Sequence, residues 1–367
     1  MPFPILRTPL VVLSEIISLL EPNEIVPASF CSNNVKRLLK SHYQRRKPLE
    51  WKLIMRNYDM MARVGIETSK DDKTKPKDAI EVISALHISE SEPPYPYRQP
   101  IPISLASNGY MITFEEAYPY LYFEDQVNGS KMIVDYVADL FNLEIYGLEI
   151  DRWATYELDW INELQEKTLV RFEFMVNSSN DSFGNKSLDY VLRNAPASEY
   201  CILQGNVSNN FRFDGKLGPA NHLFIQPNGH WVTLDNLINF DAISIVVRRC
   251  RLSVSDLYSF IRHWRTGGSR RLTFLRLEFE NRRIFENFQN EFEVVGRDIS
   301  GEYRLSDGES WHFDHGYNIQ RNDGVKAVID FGADYFVMMV CIGDTLYDQD
   351  NYLKENSDQQ FLLHQNV

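Results

Sequence analysis

The sequence predicts a mixed protein of the α+β / α/β class in three parts: an N-terminal three-helix subdomain, an array of helix–strand units, and a closing antiparallel β-meander. Three observations predict it. Large apolar residues at helical spacing fill Pro9–Leu20. From about residue 130, amphipathic helical segments alternate with short β-branched and aromatic runs. After Tyr303, alternating runs follow one another with only short turns between them. A chain of 367 residues, 44% hydrophobic and 24% charged, has room for about two or three domains and the composition of a globular protein.

Thr8 is placed to cap the first helix and Pro9 to open it, where a missing N–H costs nothing. Glu21-Pro22 ends it. Leu10, Leu13, Ile17 and Leu20 follow one face, while Val12, Ile16 and Leu19 cover a second. One apolar face suffices for docking on a local core, and two imply burial on both sides. The second face therefore needs a partner, either the rest of the chain or another protein. Pro27 falls inside the next helix, where it removes a hydrogen bond and predicts a kink.

These residues resemble the F-box. The match runs through Phe3-Pro4, Pro9, Val12-Leu13, Ile16-Ile17, Leu20, Glu21-Pro22, Ile25-Val26, Ser29, Ser32 and Leu38. It departs at Thr8, at Leu10 and Val11, at Pro27 and at Val35. The resemblance implies a three-helix F-box over residues 1–47 that binds a small Skp-type adaptor and, through it, a cullin. It places the adaptor contact on Pro9, Val12, Leu13, Ile16, Ile17, Leu20 and Ile25. The alternative is a helical subdomain that only completes its own fold.

Residues 48–129 read as a strand-rich connecting region. Ser41–Lys47 is basic, as the solvated end of a helix is, and Leu49–Ile66 reads as one or two strands. Lys70–Lys77 is a charged, structure-poor run, and Ser89–Pro102 carries five prolines suited to a stiff linker. Asn108-Gly109 reads as a hairpin turn.

Residues 130–341 read as a domain of helix–strand units ending in a meander. Its helices fall at Met132–Phe141, Trp153–Gln165, Leu188–Arg193, Asp235–Phe240 and Val254–Arg265, the last capped by Ser253 and stopped by Gly267-Gly268. Its strands fall at Ile145–Ile150, Leu169–Val176, Tyr200–Leu203, Ala242–Val247 and Leu272–Phe279. The long gap before Ala242 leaves room for an irregular unit using His222–Ile225 as its strand. Units of this period predict a leucine-rich-repeat-like α/β solenoid, or at least a parallel α/β sheet. Tyr303–Leu305, Trp311–Phe313, Tyr317–Arg321, Val325–Asp330 and Tyr335–Cys341 read as the meander, with a turn at Asn322-Asp323-Gly324. Residues 342–367 are a polar C-terminal tail.

The stretch Leu234–Glu280 is similar to the type 2 F-box-associated domain. The clearest matching residues are Leu252, Ser253, Leu257, Phe260, Ile261, Trp264, Gly267, Gly268, Leu275 and Leu277. Together the two resemblances imply a substrate-recruiting subunit of an SCF-type cullin–RING ubiquitin ligase, acting in ubiquitin-dependent degradation. The C-terminal domain would hold a target protein. Such a subunit carries no active site, because the chemistry sits on other subunits. The alternative is a non-catalytic scaffold that uses the F-box without promoting turnover.

Motifs for chemistry are absent: the sequence has no GxxxxGK[ST], GxSxG or HExxH. His312, Asp314 and His315 are too few for a metal site by themselves, so no metal or cofactor is expected. Cys31, Cys201, Cys250 and Cys341 are far apart and form no CxxC, which fits reduced thiols and a cytoplasmic or nuclear setting. The net charge of −13 argues against nucleic acid or an anionic membrane as partner, and no apolar run reaches the ~18 residues of a membrane span.

One segment runs against that charge. Ile245–Arg283 holds ten arginines, no lysine and only three acidic residues, so it carries +7 and the remainder −20. Strand alternation places Phe274, Arg276 and Arg248 on outward faces. Arginine forks suit carboxylate and phosphate, so these three residues are candidates for holding an acidic or phosphorylated target segment. The alternative is that the arginines pair with acidic residues of the same chain.

Overall fold

Three helices form where the apolar spacing places them: α1 at Leu10–Leu19, α2 at Pro22–Phe30 and α3 at Asn33–Arg45. The computed structural model describes residues 9–46, 50–68, 79–90, 99–100, 111–115, 118–164, 169–176, 182–195, 198–286, 288–304, 310–341 and 346–348. Pro9 stands one step earlier than expected, at the N-cap, with its carbonyl accepting the Leu13 N–H at 3.0 Å. Thr8 lies outside the described residues. Pro22 opens α2, and the Glu24 carboxylate accepts the Glu21 N–H at 2.9 Å. Pro27 lies inside α2 without ending it: the helix forgoes one hydrogen bond and continues to Phe30. Ser32 caps α3 by accepting the Val35 N–H at 3.2 Å.

The chain divides into two compact units, residues 1–175 and 176–367. In the first, β1 (Trp51–Tyr58) and β2 (Met61–Thr68) form an antiparallel hairpin, followed by β3 (Ile80–His87) beside β2. Its turn residues, Asp59 and Met60, both have positive φ (51° and 63°), a conformation with no glycine or asparagine to announce it. Then come β4 (Gln99–Pro100), β5 (Met111–Glu115) and β6 (Tyr118–Phe123), with β6 parallel to β3. Helix α4 (Gln126–Phe141) leads to β7 (Ile145–Asp151), and α5 (Tyr156–Leu164) to β8 (Leu169–Val176). Strands β1, β7 and β8 are parallel neighbours. Strands from the expected connecting region thus share one sheet with the first helix–strand units. The charged run at Lys70–Lys77 and the Asn108-Gly109 turn lie outside the described residues, as does most of the Pro-rich stretch.

Helices α2 and α3 are built into this unit. Ile25 and Val26 are fully buried where α2 meets β3 and β6. Tyr136 of α4 bonds Ser29 at 2.7 Å and packs on Phe30. Tyr43 of α3 meets Trp51 and Phe141 edge-on or tilted, and Lys40 pairs with Asp139. Under the sheet, Asn57 of β1 donates to Tyr156 at 2.8 Å and to Glu157 at 3.0 Å.

Burial pushes the Glu157 carboxyl up to about 7 from its ordinary 4.5. The folded state then holds a proton that the unfolded chain releases, so stability falls as pH rises between these two values. Glu157→Gln should change stability little at pH 5 and raise it at pH 8 by up to roughly 3 kcal/mol. Urea unfolding at the two pH values checks this, and an equal effect at both would mean that Glu157 is ionised in the fold.

In the second unit, α6 (Ser182–Asn194) leads to β9 (Ser198–Gly205), then β10 (Ala220–Pro227), α7 (Leu234–Asn239), β11 (Ala242–Cys250), α8 (Val254–Arg265) and β12 (Phe274–Phe279). Strands β9 to β12 are parallel and adjacent in chain order, and β10 contains the irregular strand expected at His222–Ile225. Ser253 caps α8 as expected, exchanging hydrogen bonds with Asp256, and Gly267 follows it at φ +96°. A short helix α9 (Phe288–Glu291) precedes β13 (Val294–Arg304), β14 (Ser310–Gln320), β15 (Lys326–Phe331), β16 (Tyr335–Val340) and β17 (Leu346–Asp348). These are antiparallel, and β16 joins them to β12. Trp311–Phe313 and Tyr317–Arg321, read separately in the sequence, belong to the one long strand β14 apart from Arg321. Asn322-Asp323-Gly324 is the turn between β14 and β15, with Gly324 at φ +93°.

Candidate functional site

Helix α1 resolves the question of its two apolar faces. Leu13 and Ile17, from the first face, are buried, and α1 packs on α3. From the second, Val12 is 47% and Leu19 82% exposed, and Val11 beside them is 75% exposed. Ile16 and Leu20 are half-buried and Pro9 is exposed. Of the seven residues assigned to an adaptor contact, Leu13, Ile17 and Ile25 therefore lie within the protein's own interior. Val12, Ile16, Leu20 and Pro9 keep surface for a partner. Val11 and Leu19, outside that assignment, are the most exposed apolar side chains of α1 among its described residues. Between α1 and α3 lies a groove of about 240 Å³ with an apolar floor (Leu13, Ile17, Leu38) and a basic rim (His42, Arg45, Arg46). His42 Nδ1 lies 3.3 Å from Ser14 Oγ, and burial with the nearby Arg46 charge lowers its pKa.

The arginine-rich segment divides by place. In the last turn of α8, Arg262 pairs with Glu291 and Arg265 with Glu293 at 3.4 Å, and beyond it Arg271 pairs with Asp241 at 2.9 Å. At the C-terminal ends of β11 and β12, Arg251 pairs with Glu280, and Arg283 donates to the Leu252 and Arg251 carbonyls. Much of the positive charge is thus matched within the chain.

The three assigned target-contact residues do not form one open surface. Phe274 is only 3% exposed, packed with Tyr303, Phe313, Val328, Val337 and Met339. The meander strands fold back and cover it, which alternation within β12 alone could not reveal. Arg276 is half-buried, bonded to Glu278 at 2.6 Å and lying 4.6 Å over the Trp311 ring. Arg248 is exposed, with Nε 3.6 Å from Glu278, beyond hydrogen-bond length.

The cysteines and the β14 histidines remain. Burial pushes the Cys201 and Cys250 thiols up to about 12 and Cys341 to about 11, so none is an activated nucleophile. His312, Asp314 and His315 lie exposed along β14. Among the described residues no group of His, Cys, Asp and Glu is arranged to hold a metal ion, and no helix is long and apolar enough to cross a membrane.

Residues 216–277 match the family model described as F-box associated, from just before β10 into β12. No family model marks an F-box in the N-terminal helices. No curated protein and no solved structure matches the chain.

Proposed function

We propose that the protein is a substrate receptor of an SCF-type ubiquitin ligase. In this reading α1 docks on a Skp-type adaptor, which joins it to a cullin, and the F-box-associated domain holds a target protein for ubiquitin transfer. The receptor has no catalytic residue, metal or cofactor of its own and works in the cytoplasm or nucleus. The carrying observation is the open second face of α1. Its first face closes on α3 while Val11, Val12 and Leu19 stay in solvent. A surface helix rarely spends three large apolar side chains this way without a partner. The F-box-like spacing around these residues and the family match at 216–277 support the same reading. The repeated helix–strand units support a leucine-rich-repeat-like recognition domain.

The open face also supplies a clean test, because these side chains contribute little to the protein's own core. Val12→Asp plus Leu19→Asp should leave the circular dichroism spectrum and melting temperature unchanged. Capture of the Skp-type adaptor should weaken by about 2 kcal/mol or more, roughly 30-fold. Undiminished capture by the folded variant would remove α1 as the contact, and no capture by the parent chain would remove the ligase reading.

A further inference from the structure

One face of the β9–β12 sheet is closed only in part. Parallel strands are almost always covered on both faces. Leu203, Ile225, Val247 and Leu277 lie on the face that the crossover helices close, and all are buried. On the opposite face Phe274 is covered by the meander cluster. Ile202, Phe224 and Val246, in register in one cross-strand row, are only half-buried, Val246 packing in part against that same cluster. The row runs on into Arg276, held by Glu278 and Trp311.

The charge beside this row has one sign in excess. One step toward the strand C-termini, Gln204 and Gln226 are register partners, and Arg248 follows the half-buried Val246 at the same step on β11. At this end of the sheet stand Arg248, Arg249, Arg251, Arg282 and Arg283, against Glu278, Glu280, Asp334 and Asp330, the last in the same cross-strand row two strands beyond Arg276 and accepting from the Trp311 indole at 3.1 Å. Arg251 already holds Glu280, and Arg276 holds Glu278. Arg249, in a bulge at φ 55°, is exposed, and no hydrogen bond or ion pair holds its guanidinium among the described residues.

We propose that this face holds an extended, acidic segment of a partner polypeptide. Its apolar side chains would lie on the Ile202–Phe224–Val246 row and its carboxylates on the forks of Arg248 and Arg249. The proposal rests on the receptor reading and names the class of target. A basic segment would meet the arginines, and nucleic acid would need positive charge along its whole track, whereas here the excess sits at one end.

The test uses the intact chain without adaptor and three fluorescein-labelled probes. These are a dodecapeptide alternating glutamate and leucine, the same peptide with lysine for glutamate, and a short polyuridine RNA, each followed by polarisation. Saturable binding is expected for the acidic peptide alone. Arg248→Glu plus Arg249→Glu, both exposed, should weaken it by about tenfold or more, and Phe224→Ser, with its fold checked by circular dichroism, should do the same. Arg270→Glu plus Arg271→Glu, at the other end of the sheet, should leave it unchanged.

No binding of the acidic peptide, equal binding of the lysine peptide, tighter binding of the RNA, or full binding after reversal at Arg248 and Arg249 would each overturn the proposal. Equal weakening by the Arg270 and Arg271 reversals would also overturn it. Adaptor capture by the same preparation separates the two ideas. Capture without peptide binding removes only this face, and peptide binding without capture removes only the ligase reading.

Discussion

Trp264→Ala should cost the C-terminal unit about 3–5 kcal/mol, a large share of the roughly 5–15 kcal/mol that holds a domain together. Trp264 closes the buried stripe of α8 with Leu257, Phe260 and Ile261, all four fully buried. The Arg321 guanidinium lies 5.4 Å from its ring and is itself tied to Asp323 at 2.8 Å. Removing the indole leaves a cavity too large for its neighbours to fill and strips the ring from beneath a buried cation. The indole Nε1 has no hydrogen-bond partner among the described residues, so Trp264→Phe deletes no bond seen there and should cost far less than the alanine variant, about 1 kcal/mol. Urea unfolding of the two variants decides between packing and polar contacts. Limited proteolysis should place the first new cuts of Trp264→Ala after residue 176. A phenylalanine variant as damaged as the alanine one would mean that the N–H, not the packing, matters.

How much of this was legible in the sequence depends on how local each signal is. Ser253, the stripe through Trp264 and Gly267 are a complete set of start, face and stop signals, and α8 begins and ends with them. Leu169–Val176 is bounded as expected because its alternation needs no distant partner to be read. The hairpin turn at Asp59-Met60 carried only half a signal, since aspartate tolerates positive φ but methionine stands where glycine is usual. Strand β14 read as two because Asp314, His315 and Gly316 interrupt its apolar pattern, and its pairing with β13 shifts register there before resuming at Phe313.

The candidate site shows the same limit more sharply. Periodicity separated the two faces of α1 and of β12, but not which face the rest of the chain would cover. On α1 the covered face is the one carrying Leu13 and Ile17, and on β12 both faces are covered at Phe274. The arginine excess was plain from composition. Apart from the local pair of Arg276 with Glu278, its pairing with Glu280, Glu291, Glu293 and Asp241 depends on long-range contacts, as does the half-open row beside Arg248.

The second large effect is expected at Glu149, where charge crosses the strands of the N-terminal unit. Arg56, Glu149 and Glu173 stand in register on β1, β7 and β8. Arg56 bonds Glu149 at 2.9 Å, the Tyr58 hydroxyl donates to it at 3.0 Å, and Arg171 bonds Glu173 at 2.6 Å. Glu149 and Glu173 are each 7% exposed at their side chains, so water cannot replace a lost partner. Glu149→Ala leaves Arg56 without its carboxylate and Tyr58 without its acceptor, and should cost roughly 3–5 kcal/mol. Arg171 retains Glu173, and its Nε is 3.6 Å from Glu149, too far for a hydrogen bond, so Arg171→Ala should show weaker coupling to Glu149 than Arg56→Ala does. If the cost arises from an uncompensated charge, Arg56→Met combined with Glu149→Met should recover much of it, because the pair's removal also removes the desolvation that opposes folding. The loss should persist at high salt, since a buried pair is screened far less than a surface one. A double-mutant cycle by urea unfolding measures all three terms. Additive losses at Arg56 and Glu149 would show that the two residues pack beside each other without acting as an ion pair.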